Sequence, residues 1–200
     1  MKLTLTIGLI LVAAGVLEAQ PQGRIAGGED AVLGQLPYQA ALSIGGSYNC
    51  GAVIIGQRYA LTALTCVCSD VTDNSEIISA IPLSQDVPPM GAQVEVSGWG
   101  RTTESEVNMH RTLQIGAAEV MAPRECSMAR RDELLVNDDQ VLCLGHGRRQ
   151  GICSGDIGGP AVYQGQLVGL GAQILGECGG MLPERFISIA ANYDWIQQQM

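Results

Sequence analysis

The 200-residue sequence is poor in aromatic residues and in bases. It has one Phe, two Trp and five Tyr, and its 11 Lys and Arg are outnumbered by 20 Asp and Glu, so the net charge is −9. Such a surface repels a phosphate backbone, which makes nucleic acid an improbable partner. After the first twenty residues no long apolar run occurs, and we therefore expect no membrane span.

The first nineteen residues have the pattern of a secretory signal peptide. Lys2 precedes the apolar run "LTIGLILVAAGVL", and Ala19 is a small residue at which a signal peptidase could cut. Residues 20–24 then form a short propeptide if the chain is also cut after Arg24. Loss of residues 1–24 changes the net charge to −10 and leaves a chain long enough for one domain with a substantial core.

Seven cysteines in a secreted chain predict disulfides, and the odd number leaves at least one without a partner in the chain. Cys66 and Cys68 have the spacing of half a zinc site, but no second pair completes four ligands. We therefore expect neither a metal nor another cofactor.

Short β-like runs bounded by Gly, Pro, Asn and Asp recur along the chain and predict an all-β fold. Examples are "YQAALSI", "CGAVII", "AQVEVSG", "LQIGAAEV" and "RFISIA". Two segments favour helix, "PRECSMARR" and the C-terminal "ANYDWIQQQ". In the second, we expect Asn192 to cap the helix and Trp195 and Ile196 to pack on the body.

Five motifs in order resemble those of the trypsin/chymotrypsin family of secreted serine proteases: "GRIAGG", "LTALTC", "VSGWG", "GDIGGP" and "NYDWI". The resemblance implies two antiparallel Greek-key β-barrels and a C-terminal helix, all within residues 25–200. The segment between Asp70 and Ile81 is short for this family, so we expect the first barrel to be truncated. The family's activation switch would map to cleavage at Arg24 and pairing of the new Ile25 ammonium with Asp156.

The resemblance also places the catalytic positions, and both that can be aligned are degenerate. The base position is Thr65, whose hydroxyl is no base at neutral pH, and the nucleophile position is Ile157, which has no atom that can attack a carbonyl. The orienting aspartate would fall in the shortened segment. Gly155 and Ile157 retain the backbone positions of the oxyanion loop.

Substrate recognition departs from the family pattern as well. The pocket-base position carries no acid, the strand that would pair with substrate lacks its Ser-Trp-Gly, and a large side chain replaces a glycine on the pocket wall. Gly151 stands at the pocket base, Ala172, Gln173 and Ile174 stand on the strand, and Glu184 stands on the pocket wall. His146 lies near the rim in the basic loop "GHGRRQG", which we expect to be solvated.

Family-like pairing would join Cys50 to Cys66, Cys126 to Cys143, and Cys153 to Cys178. Cys68 is left over and could compete with Cys66 for Cys50. It is interpreted as a buried or capped thiol, with a disulfide to another chain as the alternative.

These features predict a secreted, non-catalytic serine protease homologue that acts by binding extracellular protein, such as a protease or its substrate. Two alternatives stay open. One is a working serine endopeptidase, which the family resemblance alone would suggest. The other is a truncated product without independent function, because a barrel that lacks strands exposes unpaired edges.

Overall fold

Strands dominate the computed structural model, which describes residues 25–66, 70–72, 78–128 and 138–200. Within these residues the strands are β1 Glu29–Asp30, β2 Gln39–Ile44, β3 Ser47–Gly56, β4 Tyr59–Leu61, β5 Asp70–Thr72, β6 Gln93–Gly98, β7 Gln114–Met121, β8 Val141–Gly145, β9 Pro160–Tyr163, β10 Gln166–Ile174 and β11 Glu184–Ser188. The helices are α1 Pro123–Met128 and α2 Ile189–Gln199, with 3-10 turns at Leu64–Cys66 and Asp138–Gln140.

The second half of the chain closes into a barrel. Its strands follow the order β7-β6-β9-β10-β11-β8, and β8 pairs again with β7. All these pairings are antiparallel, and β9 returns to lie beside β6, which makes β6 to β9 a Greek key. Closure leaves this barrel without the open edges that promote aggregation.

The interior of this barrel is aliphatic apart from the one phenylalanine of the chain. Val96 and Leu144 are fully buried and Phe186 is 1% exposed. On β6 the buried Val94 and Val96 alternate with the more exposed Gln93 and Glu95, whereas β8 and β11 are buried along almost their whole length.

The first half forms a separate sheet in the order β4-β3-β2-β5. Its buried face includes Ala40, Leu42 and Ala52, which pack around the Cys50–Cys66 disulfide. The predicted all-β fold with a C-terminal helix is confirmed. The shortening between Asp70 and Ile81 stays a prediction.

All three predicted disulfides are present: Cys50–Cys66, Cys126–Cys143 and Cys153–Cys178. Of the two candidates for Cys50, the structure therefore selects Cys66. Cys68, Arg24 and the predicted signal peptide and propeptide lie outside the described residues.

The predicted capping and packing of the C-terminal helix are wrong in detail. Ser188, not Asn192, is the N-cap of α2, and its hydroxyl accepts the Ala191 amide at 3.3 Å. Ile196 is buried as expected, but Trp195 is 61% exposed, because Ile189 and Ile196, two turns apart, form the buried stripe. No helix in the described ranges is long and apolar enough to cross a membrane.

Candidate functional site

A glycine-rich loop before β9 holds one buried acid, Asp156. Gly155, with φ +101°, is in a conformation that favours glycine and turns the chain so that Asp156 points inward, where it is 1% exposed. The carboxylate accepts the Gly100 amide at 2.7 Å and the Cys153 amide at 2.9 Å. The loop therefore holds a carboxylate in a dry site with backbone donors on two sides.

Burial raises the pKa of Asp156 from 3.8 to about 7, although the amides of Cys153 and Gly100 oppose the rise. The nearby carboxyl of Glu184 adds to it by like-charge repulsion. Asp156 is thus about half protonated at neutral pH unless a cation is supplied. The activation switch that the resemblance implies would supply this cation as the new ammonium group of Ile25.

Ile25, the predicted source of that cation, is buried. It is 1% exposed and packs in the barrel core with Val96 and Ile152. The adjoining Ala26 forms an antiparallel bridge with Gly151. The segment that begins at Ile25 therefore lies against the loop that contains the pocket-base position.

Ile157 follows Asp156 at the predicted nucleophile position, and its side chain is partly buried. It touches both the barrel core and the cluster around Cys50 and Cys66. Its carbonyl accepts the Gly51 amide at 2.8 Å, which joins the two halves of the molecule. Ile157 therefore contributes packing where the family carries a hydroxyl.

Thr65, at the predicted base position, is exposed on the 3-10 turn Leu64–Cys66. Its hydroxyl lies 4.0 Å from the Cys66 sulfur, and that sulfur lies 3.8 Å from the Ile157 carbonyl. The structure therefore brings the two degenerate positions to the same place, at the junction of the two sheets.

The predicted pocket base is filled by an ion pair. His146 Nε2 lies 3.3 Å from Glu184 Oε1, and both side chains are 2% exposed. A Cβ built on Gly151, whose φ is +111°, would overlap the Glu184 carboxylate and approach the His146 ring to 2.8 Å. Glu184 therefore lies beneath Gly151. Residues 147–150 of the basic loop are exposed, as expected, but the His146 side chain is buried against Glu184.

Both members of this pair depend on the other for their charge. Burial raises the pKa of Glu184, and His146 partly reverses the rise. Burial alone would lower the pKa of His146, but the Glu184 carboxylate and the carbonyl of Gly147 raise it overall. His146 Nδ1 lies 3.0 Å from the Gly147 carbonyl, whereas neither carboxylate oxygen of Glu184 has a hydrogen-bond partner among the described residues, so the contact with His146 is an ion pair without a well-aligned hydrogen bond.

The other pocket positions form the end of β10 beside β11. Gln173 and Ile174 pair in register with Arg185 and Glu184, after an irregularity between Gly171 and Gln173. Gln173 Oε1 accepts from Arg185 Nη1 at 3.5 Å. Ala172, Gln173 and Ile174 are all partly exposed beside the filled pocket.

Three side chains that sequence reasoning did not identify hold the oxyanion loop. Tyr48 donates its hydroxyl to the Gly155 carbonyl at 2.7 Å and packs edge-on against Trp99 at 5.9 Å. Burial raises the pKa of Tyr48, so the phenol stays a donor. The sulfur of Met109 would lie 2.8 Å from a Cβ at Gly155, so Met109 covers the loop.

Comparison with known proteins identifies the family. The trypsin family model matches residues 25–80 and 72–196. The chain belongs to the trypsin family. It is similar to serine protease SP24D of Anopheles gambiae, with 28% identity over 88% of this chain and 81% of that protein. Human kallikrein-7 is 25% identical, with 99% and 96% of the two chains covered.

Solved structures of this fold include both a protease and a protein named for binding. Mouse neuropsin, a serine protease of the limbic system, superposes with a TM-score of 0.76 at 22% identity, over 86% of this chain and 98% of that one. Human heparin binding protein superposes with a TM-score of 0.70 at 22% identity, over 86% and 95%. At 22% identity, both similarities concern the fold alone.

Proposed function

We propose that this trypsin-family chain is a secreted, non-catalytic homologue that acts by binding an extracellular protein. The observation that carries the proposal is Ile157, which stands between Asp156 and Gly158 at the nucleophile position and packs its side chain into two apolar clusters. A hydrocarbon cannot form an acyl-enzyme, and residues of a catalytic triad act as a unit.

The rest of the site supports this proposal. Thr65, exposed at the base position, cannot take a proton from a nucleophile at neutral pH. Glu184 and His146 fill the space beneath Gly151 where a substrate side chain would enter. The short segment between Asp70 and Ile81 leaves little chain for the strands that would carry an orienting aspartate.

Protein is the partner class that the surface favours. The name of human heparin binding protein indicates that this fold can serve binding, but heparin is a polyanion and the present chain has a net charge of −9. Like charges over a whole surface oppose association. Three disulfides suit the oxidising extracellular space, where a protease or its substrate is a candidate partner.

The decisive test is reaction with an active-site serine reagent. The purified protein, cleaved after Arg24, is incubated with a fluorophosphonate probe and with a broad peptide library. We expect neither covalent labelling nor turnover, because Ile157 offers no nucleophile. Reproducible turnover or labelling by the natural chain would establish the alternative, a serine endopeptidase.

The double variant Thr65→His, Ile157→Ser serves as the matched control for that experiment. It restores a nucleophile and a base but not the orienting carboxylate, whose loss alone costs about 10⁴ in turnover. We expect slow labelling at Ser in the variant, far below that of an active protease run in parallel. This control confirms that the reagent reaches the site.

A truncated product without function is the other alternative, and its discriminating measurement is folding. A protein secreted in good yield with one cooperative thermal transition supports a functional fold. Retention and aggregation, or a transcript that encodes further residues between Asp70 and Ile81, would support truncation.

A further inference from the structure

A cavity of about 680 Å³ lies apart from the filled substrate pocket, on the side of the molecule formed by the segment before β2. Its walls are residues 31–34, 36 and 37, part of β2 and residues 110–113, with Tyr48 and Trp99 also in contact. This volume is within the range typical of ligand-binding pockets in proteins.

Apolar side chains extend from the cavity onto the surrounding surface. Val32 and Leu33 line it and are 70% and 90% exposed, while Leu36 is buried. A small molecule inside the cavity would leave Leu33 in water. Exposed apolar surface of this kind next to a cavity is typical of a protein interface.

The floor of the cavity contains an amide donor without an acceptor. Gln39 is 5% exposed, and its Oε1 accepts the Ser97 hydroxyl at 2.7 Å. Its Nε2 has no hydrogen-bond partner in the described residues. That nitrogen is also closed off from solvent, so Gln39 shapes the cavity without offering a bond to a bound segment.

One cation at the cavity is also free of a counter-charge. No acidic side chain lines the cavity, and of its two basic residues His110 is 3.4 Å from Glu106. Arg111 forms no ion pair within the part of the chain that is described. In a protein of net charge −9, this is a local site for a carboxylate.

We infer that this cavity binds a short, apolar polypeptide segment of the partner that carries one carboxylate. Apolar side chains pack on Leu33 and Leu36, and the carboxylate pairs with Arg111. The inference rests on the proposed function in taking the partner to be a protein, and it adds the site and the chemistry of the segment.

The test uses fluorescent synthetic peptides in which valine alternates with glutamate, with proline at each end. Matched peptides carry glutamine or lysine in place of glutamate. By anisotropy we expect the glutamate peptide to bind roughly three- to tenfold more tightly than the glutamine peptide and the lysine peptide to bind least. Arg111→Gln should remove the difference between the glutamate and glutamine peptides.

Leu33→Ser should weaken binding of all three peptides by about tenfold, since it removes apolar contact without disturbing the core. Arg124→Gln and Met181→Ser are the matched controls, because both residues are exposed and lie outside the cavity. Thermal unfolding verifies that every variant is folded.

Three results would overturn the inference. They are no binding of any peptide, binding that Leu33→Ser and Arg111→Gln leave unchanged, and a small apolar carboxylate that binds as tightly as the peptide and is unaffected by Leu33→Ser. None of these would restore catalysis, so the proposed non-catalytic role is decided separately by the serine reagent.

Discussion

The protein with its Arg24–Ile25 bond intact is expected to lose up to about 4 kcal/mol of stability as the pH rises from about 4 to about 7, through Asp156 alone. Its pKa is about 7 in the folded state and 3.8 in the reference state. Between these values the unfolded chain is ionised while the folded one keeps the proton, so folding takes up a proton and rising pH favours unfolding. Urea unfolding over this range measures the loss.

Asp156→Asn should flatten this pH dependence, since the amide does not titrate. Asp139→Asn is the control, because Asp139 is exposed. The stability of Asp156→Asn should still fall as the pH rises, because the pKa values of Glu184 and His146 are also raised in the folded state. If the natural chain and Asp156→Asn have the same slope, the buried carboxyl does not titrate as described.

Cleavage after Arg24 should restore stability near pH 7 if the switch is retained. The new α-amino group at Ile25, with a pKa of about 8, would supply the cation that ionised Asp156 lacks. We expect the cleaved form to be more stable than the intact form near pH 7, with slower hydrogen exchange in the loop around Asp156. Equal stability and exchange in the two forms would indicate that the switch is lost.

The strands show how far alternation of apolar residues predicts this fold. The runs that became β2, β6, β7 and β11 were identified within two residues, and the run that became β3 began three residues late. β8 and β9 were missed, because "VLCLG" and "PAVY" are short and almost wholly buried and so lack an alternating pattern. A strand buried on both faces is recognised only from its partners.

The site was predictable where one motif determines it and not where distant residues meet. Ile157 and Thr65 could be placed because each lies in a local motif, and Glu184 because a pocket wall has a fixed position in the resemblance. His146 was misplaced because its glycines and arginines are typical of a solvated loop. Its burial comes from a carboxylate on another strand, which local sequence does not reveal.

The two single variants of the pocket ion pair are expected to lose stability with opposite pH dependence. Glu184→Gln removes the counter-ion of a buried imidazolium, a change that typically costs about 3–5 kcal/mol. The loss should be larger at pH 6 than at pH 8, because the imidazole loses its charge as the pH rises. His146→Gln leaves Glu184 alone, so its loss should grow as the pH rises.

The double variant Glu184→Gln, His146→Gln separates an ion pair from simple packing. Two amides of similar size can hydrogen-bond without charge, so the double variant should be more stable than the worse single variant at each pH. Urea unfolding of the four proteins at pH 6 and pH 8 gives the coupling energy. Additive losses, equal at both pH values, would mean that the two groups fill the pocket independently. Strong coupling would mean that the charge pair itself closes the space beneath Gly151, so that opening it for a substrate would expose two buried charges together.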